Sequence, residues 1–249
     1  MKLSFVILTI GDKPDKLKLS VNSIRRNFDE RSCEFEIIVV GNNLDDLKNS
    51  NESNFCKIIE DTEFIEYLGK RRNIGTENSS GEIIIHMDDD MILPEDWLSS
   101  FEDFNSKNAD WKILGHKILL PDGGRHWDRA TYSPLHKMVD YDYHSDTDCF
   151  YQTGGFGIYK KSLLDEMSWD NTLPYYAMFK GFKYNEDIDF SIRLHEAGKK
   201  IFFDKENTVW HYDHSYESNG VACNKKRTKD LVQYKCFGFI QCLSSLSYA

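Results

Sequence analysis

Residues 82–90 read EIIIHMDDD, an apolar run of strand length that stops on three consecutive carboxylates. In an extended segment alternate side chains share a face, so Asp88 and Asp90 are expected to converge while Asp89 turns away. Two such charges about 4 Å apart repel by roughly 4 kcal/mol at an effective dielectric near 20. A hard divalent cation bridging them to a phosphate would relieve that repulsion, since magnesium and manganese favour one or two carboxylates plus phosphate oxygens. A solvated acidic turn is the plainer alternative.

A second acidic centre, Asn185-Glu186-Asp187, opens a helix expected to run to about Ala197 and to close at Gly198. Acids in a first turn are favoured by the helix dipole whatever their function, so capping alone could account for them. Apolar residues on two sides of this helix (Ile188 and Ile192, Phe190 and Leu194) predict that it is buried and its acidic end held rigidly. A rigid, desolvated carboxylate suits a general base. The third centre is residues 209–214, VWHYDH, whose histidines could complete a site for manganese or another borderline metal.

The elements that must position these groups follow from the apolar pattern. Residues 4–10 (SFVILTI) and 35–40 (FEIIVV) read as strands buried on both faces of a parallel sheet, with a helix over 16–27 between them. Residues 56–59 and 82–87 predict further strands, and 63–78 a helix. Pro94 then opens a helix with Trp97, Leu98, Phe101 and Phe104 inward, and 200–203 is a late strand. In open α/β sheets ligands bind beyond the carboxyl ends of the strands, which is where Thr9 to Asp12, Gly41 to Asn43 and Asp88 to Asp90 should gather.

Composition narrows the function. The 249 residues carry 31 Lys and Arg against 41 Asp and Glu, a formal charge of -10 that opposes nucleic-acid binding. The six cysteines form no Cys-x-x-Cys pair, and the first apolar run is followed by no small-residue cleavage site, so a reduced, cytoplasmic protein is expected. No apolar stretch reaches the roughly 18 residues of a spanning helix. The lysine-rich, then apolar, tail could touch the inner membrane face peripherally, although a docked terminal helix is the commoner arrangement.

In order along nearly the whole chain, the segments FVILTIGDKPDKLKLSVNSI, EIIVVGNN, KRRNIGTENSSGEIIIHMDDDMILPEDWL, TGGFGIYKKSLLDEM, NEDIDFSIRLHEAGKKIFF and VWHYDHS resemble the family 2 glycosyltransferases, nucleotide-diphospho-sugar transferases of GT-A fold. The resemblance implies an α/β, Rossmann-like, mostly parallel sheet flanked by helices, with a smaller acceptor-side subregion. Residues 1–115 would bind the nucleotide sugar, 116–222 would hold acceptor and catalytic groups, and 223–249 would form the tail.

It further implies that Asp88 contacts the nucleotide ribose and that Asp90 binds Mn2+ or Mg2+ on the diphosphate of a donor, by family likeness a UDP-sugar. Asp187 would be the base that activates a hydroxyl of a glycan or lipid-linked saccharide acceptor, and Glu186 would hold that hydroxyl. Arg72 would lie against the nucleotide, Thr9, Asp12 and Asp89 would contact it, and Gly154 and Gly155 would flank the sugar pocket. His211 resembles a C-terminal metal ligand, with His214 as rival, and Trp127 is the aromatic proposed for the acceptor. Gly41-Asn42-Asn43 departs from the acidic residue with which many relatives read the base. A glycoside hydrolase, which also sets two carboxylates across a sugar, and a non-catalytic carbohydrate- or nucleotide-binding module are the alternatives.

Overall fold

A computed structural model describes residues 1–28, 33–64, 66–126, 128, 130–132, 138–140, 149, 151–175, 178–179, 182–183 and 186–212. The chain begins with alternating strands and helices: β1 (Lys2–Thr9), α1 (Pro14–Phe28), β2 (Glu34–Gly41), the short α2 (Asp45–Lys48), β3 (Cys56–Glu60), α3 (Leu68–Glu77) and β4 (Ile83–Asp88). Their strands pair in parallel in the order β3-β2-β1-β4. Then come β5 (Met91–Ile92), α4 (Trp97–Lys107), β6 (Ile113–Leu119), β7 (Ala130–Tyr132), β8 (Met138–Asp140), β9 (Phe156–Lys160), α5 (Lys161–Glu166), β10 (Met178–Phe179), β11 (Phe182–Lys183), α6 (Glu186–Glu196) and β12 (Phe202–His211).

The main sheet has eight strands in the order β3-β2-β1-β4-β9-β6-β12-β5. Antiparallel β9 joins β4 to β6, and β12 runs parallel to β6. Its two faces are separate cores, as the alternation of β1 makes plain: Leu3, Phe5 and Ile7 pack towards α1 and α4, while Val6 and Leu8 pack towards Trp169, Leu163 and Phe190. On α1 the stripe Leu17, Val21, Ile24 and Phe28 is buried at helical spacing.

Two boundaries differ from the sequence expectation. The helix expected over 63–78 begins only at Leu68, because Asp61 Oδ1 accepts the backbone N–H groups of Glu63 and Phe64 and folds that stretch into a turn. The late strand is longer than 200–203: β12 continues to His211, with a register shift between Asp204 and Thr208 where Asp204 Oδ1 accepts the Glu206 N–H. The strand itself therefore delivers His211. Gly198, at φ 65°, ends the α6 segment as expected. Asn185 and residues 213–249 lie outside the described residues.

Helix α3 packs on the core through Leu68 and Ile74, but its fully buried side chains are polar. Gly75 lets it approach β1, where an added Cβ would sit 2.2 Å from Val6 Cγ1. From the same helix the fully buried Arg71 ties three strand ends together. Its Nε and Nη2 donate to Asp61 Oδ2 and O at 2.8 and 2.9 Å, Nη1 donates to the Thr9 carbonyl at 2.9 Å, and Nη2 also reaches Asn42 Oδ1 at 2.9 Å. Breaking a buried pair leaves an uncompensated charge. Arg71→Met should therefore cost about 3–5 kcal/mol, read as a drop in the urea midpoint, with Arg71→Lys recovering only part because it lacks the planar fork.

On the other face Trp97 stacks on Phe101, and its Nε1 donates to His116 Nδ1 at 3.2 Å. Burial pushes His116 down from 6.5 to about 3, so it is neutral in the fold. The unfolded chain takes up this proton near pH 6.5 and the native chain does not, so stability falls as the pH drops through that value. The slope for one such group is about 1.4 kcal/mol per pH unit. Urea unfolding at pH 7.5 and 5.0 should show that loss in the wild type and a shallower one in His116→Gln.

Candidate active site

The carboxyl-terminal ends of β1 and β4, the loop into α1 and the end of β12 enclose a cavity of about 200 Å³. Thr9, Asp12, Lys13, Arg71, Asp88, Asp89, Asp90 and His211 line it. Among the described residues, the first and third acidic or histidine-bearing segments of the sequence thus meet in one place.

The aspartates do not alternate as the sequence pattern predicts, because β4 ends at Asp88 and the next two residues form a turn. All three therefore face the same cavity. Asp88 has a 43% exposed side chain and is the accessible member. Asp89 is buried; its carboxylate accepts the Thr9 hydroxyl, and its carbonyl accepts Ser20 Oγ at 2.9 Å. Burial pushes the Asp89 carboxyl up to about 7, outweighing the Thr9 hydrogen bond, and the charges of Asp90 and Asp88 add to the rise.

Asp90 goes the other way. Burial opposes its ionisation, yet His211 and Lys13 hold it well below the usual carboxylate range. Lys13 Nζ lies 2.8 Å from Oδ2 and His211 Nε2 lies 3.2 Å from Oδ1. The end of β12 is fixed here by backbone and side-chain bonds: Tyr212 N donates to the Asp90 carbonyl at 2.9 Å and Lys16 Nζ to the Tyr212 carbonyl at 2.7 Å. The His126 ring lies against that of His211, with centroids 4.2 Å apart.

The second acidic centre joins this cavity through Arg72 and a pair of glycines. Arg72 is buried against the Trp169 ring; its Nη2 lies 3.3 Å from Glu186 Oε1 and 3.9 Å from Asp88 Oδ1. Asp187 Oδ2 accepts the Tyr151 hydroxyl and, at 3.3 Å, the Gly154 N–H. Burial, reinforced by the Asp187 charge, pushes the Glu186 carboxyl up despite Arg72. A Cβ on Gly154 would stand 3.0 Å from both Arg72 Nη2 and Glu186 Oε1, and one on Gly155 would stand 3.4 Å from Asp88 Oδ2. At Gly154 a side chain would press on both Arg72 and Glu186, whereas at Gly155 it would press on Met91 Cε, 2.8 Å away, and make only ordinary contact with Asp88.

The structure thus draws together Thr9, Asp12, Asp88, Asp89, Asp90 and His211 in one cavity, and Arg72, Gly154, Gly155, Glu186 and Asp187 beside Asp88. Trp127 and His214 lie outside the described residues. Lys13, Arg71 and Tyr151 were not legible as site groups. Lys13 and Tyr151 have partners 77 and 36 residues away in sequence, those of Arg71 lie 10 to 62 away, and the one local signal is the position of Lys13 directly before Pro14 at the start of α1.

For a divalent cation, the donor set that fits is Asp90 with His211. A buried carboxylate oxygen and an imidazole nitrogen stand side by side there, and manganese accepts both types. Among the described residues no group of three or more His, Cys, Asp or Glu side chains could hold a metal ion. A cation at Asp90 would therefore rely on ligand oxygens from a bound phosphate.

Solved structures with the same architecture include S. aureus TarS 1-349, 18% identical with a TM-score of 0.62 over 85% of this chain and 60% of that one. Its complex with UDP-GlcNAc is 18% identical, with a TM-score of 0.59 over 93% of this chain and 65% of that one. GalNAc-T7 with UDP, GalNAc and Mn2+ is 16% identical, with a TM-score of 0.61 over 86% of this chain and 44% of that one. The chain thus spans less than two thirds of the length of each of these structures. Comparison with curated protein sequences gives no match. The family model described as Glycosyl transferase family 2 matches residues 4–168, more than half of the 249. The protein has the GT-A fold and belongs to glycosyl transferase family 2.

Proposed function

We propose that the protein is an inverting, divalent-metal-dependent glycosyltransferase that moves a sugar from a nucleoside diphosphate, with uridine as the preferred base, to a hydroxyl of a glycan or lipid-linked acceptor. The observation that carries this reading is Arg72. One guanidinium reaches Asp88 on the cavity side and Glu186, the neighbour of Asp187, on the other. Family membership supports the reaction class, and neighbours solved with UDP, with UDP-GlcNAc and with Mn2+ support the choice of donor and ion.

In this reading residues 1–115 hold the donor and 116–222 supply the acceptor side. Thr9, Asp12, Asp88 and Asp89 face the nucleotide, while Gly154 and Gly155 leave room for the sugar. Asp90 and His211 would hold Mn2+ or Mg2+, which when bound stabilises charge on the departing diphosphate. Tyr151 and the Gly154 N–H occupy Asp187 Oδ2 and orient its carboxylate. Asp187 then takes the proton of the acceptor hydroxyl as that oxygen attacks the anomeric carbon; the bond to the leaving phosphate oxygen breaks and the configuration inverts. Glu186, kept in place by Arg72, accepts a hydrogen bond from the acceptor. The lysine-rich tail at 223–249 would suit an acceptor presented at the inner face of a membrane.

Removing a general base costs about 10²- to 10⁴-fold in rate. Asp187→Asn should therefore lower kcat by about that factor while leaving donor affinity nearly intact, and Asp90→Ala should weaken both. Release of nucleoside diphosphate from a panel of sugar donors with manganese, alongside calorimetric donor titration, measures both quantities. Near-normal turnover by Asp187→Asn would remove it as the base. Activity that persists in a chelator without release of diphosphate would favour a hydrolase instead.

A further inference from the structure

Both carboxylate oxygens of Asp90 are met by groups of the chain itself, the Lys13 ammonium at 2.8 Å and the His211 imidazole at 3.2 Å. The lysine side of this arrangement can move. Lys13 sits in the loop between β1 and α1, its side chain is 19% exposed, and it lines the cavity with Asp88 and Asp89. An ammonium on a four-carbon stem carries three rotatable donors and can exchange one anionic partner for another without moving the backbone. A divalent ion at ligand distance from Asp90 would weaken the hold of that ammonium on the carboxylate, since two cations a few ångströms apart repel.

We infer that Lys13 is a resident counter-ion of the donor site, displaced from Asp90 when a divalent cation binds and transferred to the donor diphosphate, so that metal and nucleotide bind as a coupled pair. The inference rests on the proposed donor site and adds a group and a sequence of exchanges to it. Before loading, the ammonium compensates, together with His211, the charge of a buried carboxylate. After loading, the cation takes over that task and the ammonium gains charge-assisted hydrogen bonds to phosphate oxygens. No covalent bond changes. Coupling arises because each ligand removes a cost met by the other.

The test is titration calorimetry on the full chain with manganese alone, uridine diphosphate alone, and each in the presence of the other. In the wild type each ligand should tighten the other. Lys13→Met and Lys13→Gln should bind manganese alone roughly tenfold tighter, because the resident cation is gone, and uridine diphosphate with saturating manganese roughly tenfold weaker. Lys13→Arg should restore much of the diphosphate affinity. Opposite movements of two affinities cannot come from general damage to the fold, and two neutral variants guard against one that folds poorly. Unchanged metal affinity, diphosphate affinity and coupling in the neutral variants would overturn the inference while leaving the proposed function standing. A wild type that binds neither ligand would sink both.

Discussion

The constraint on which the site depends is negative charge held out of water. Asp61, Asp89, Asp90, Glu186 and Asp187 are each less than a tenth exposed, and all lie at or beyond the carboxyl ends of strands or at the start of α6. Unpaired, each would cost several kcal/mol. The chain answers with one partner set for each: Arg71 for Asp61, Thr9 for Asp89, Lys13 and His211 for Asp90, Arg72 for Glu186, Tyr151 for Asp187. Those partners come from the end of β1, the β1–α1 loop, α3, the segment before β9, and β12. The same contacts that pair or hydrogen-bond the acids therefore fix the segments that bear them.

Two ends of that network behave differently. Arg71 is saturated by protein acceptors and serves as a structural rivet. Arg72 is equally buried, but its Nη2 is shared between two carboxylates while Nε and Nη1 have no hydrogen-bond partner among the described residues, so it is poised between two positions of charge. In an α-helix adjacent residues point about 100° apart, which lets neighbouring arginines take up these separate tasks. Gly154 leaves room for Arg72 and Glu186 to meet, since a Cβ there would stand 3.0 Å from each.

The strands were legible because buried parallel strands are continuous apolar runs, and β1, β2 and β4 follow residues 4–10, 35–40 and 82–87 to within a few positions. α1 and α6 were legible from their periodicity and from Gly198. The start of α3 was not, because the turn at Asp61 is made by a side chain competing for backbone N–H groups, which periodicity does not register. The facing of Asp89 was misjudged for a related reason: period-two alternation applies only while the strand lasts, and β4 ends one residue earlier. Among the site groups, acids and histidines stand out in sequence by type. Lys13, Arg71 and Tyr151 do not, because what distinguishes them is a partner brought close by the fold.

The central claim is that one cleft holds a cation and diphosphate at Asp90 and presents the sugar towards Asp187. Its most direct test is anomalous diffraction from crystals grown with manganese and uridine diphosphate. The account predicts a single manganese peak at a ligand distance of about 2.1 Å from Asp90, with diphosphate oxygens completing its shell and the terminal phosphate facing Gly154 and Asp187. A manganese peak remote from Asp90, or a diphosphate lying on another face of the sheet, would contradict it.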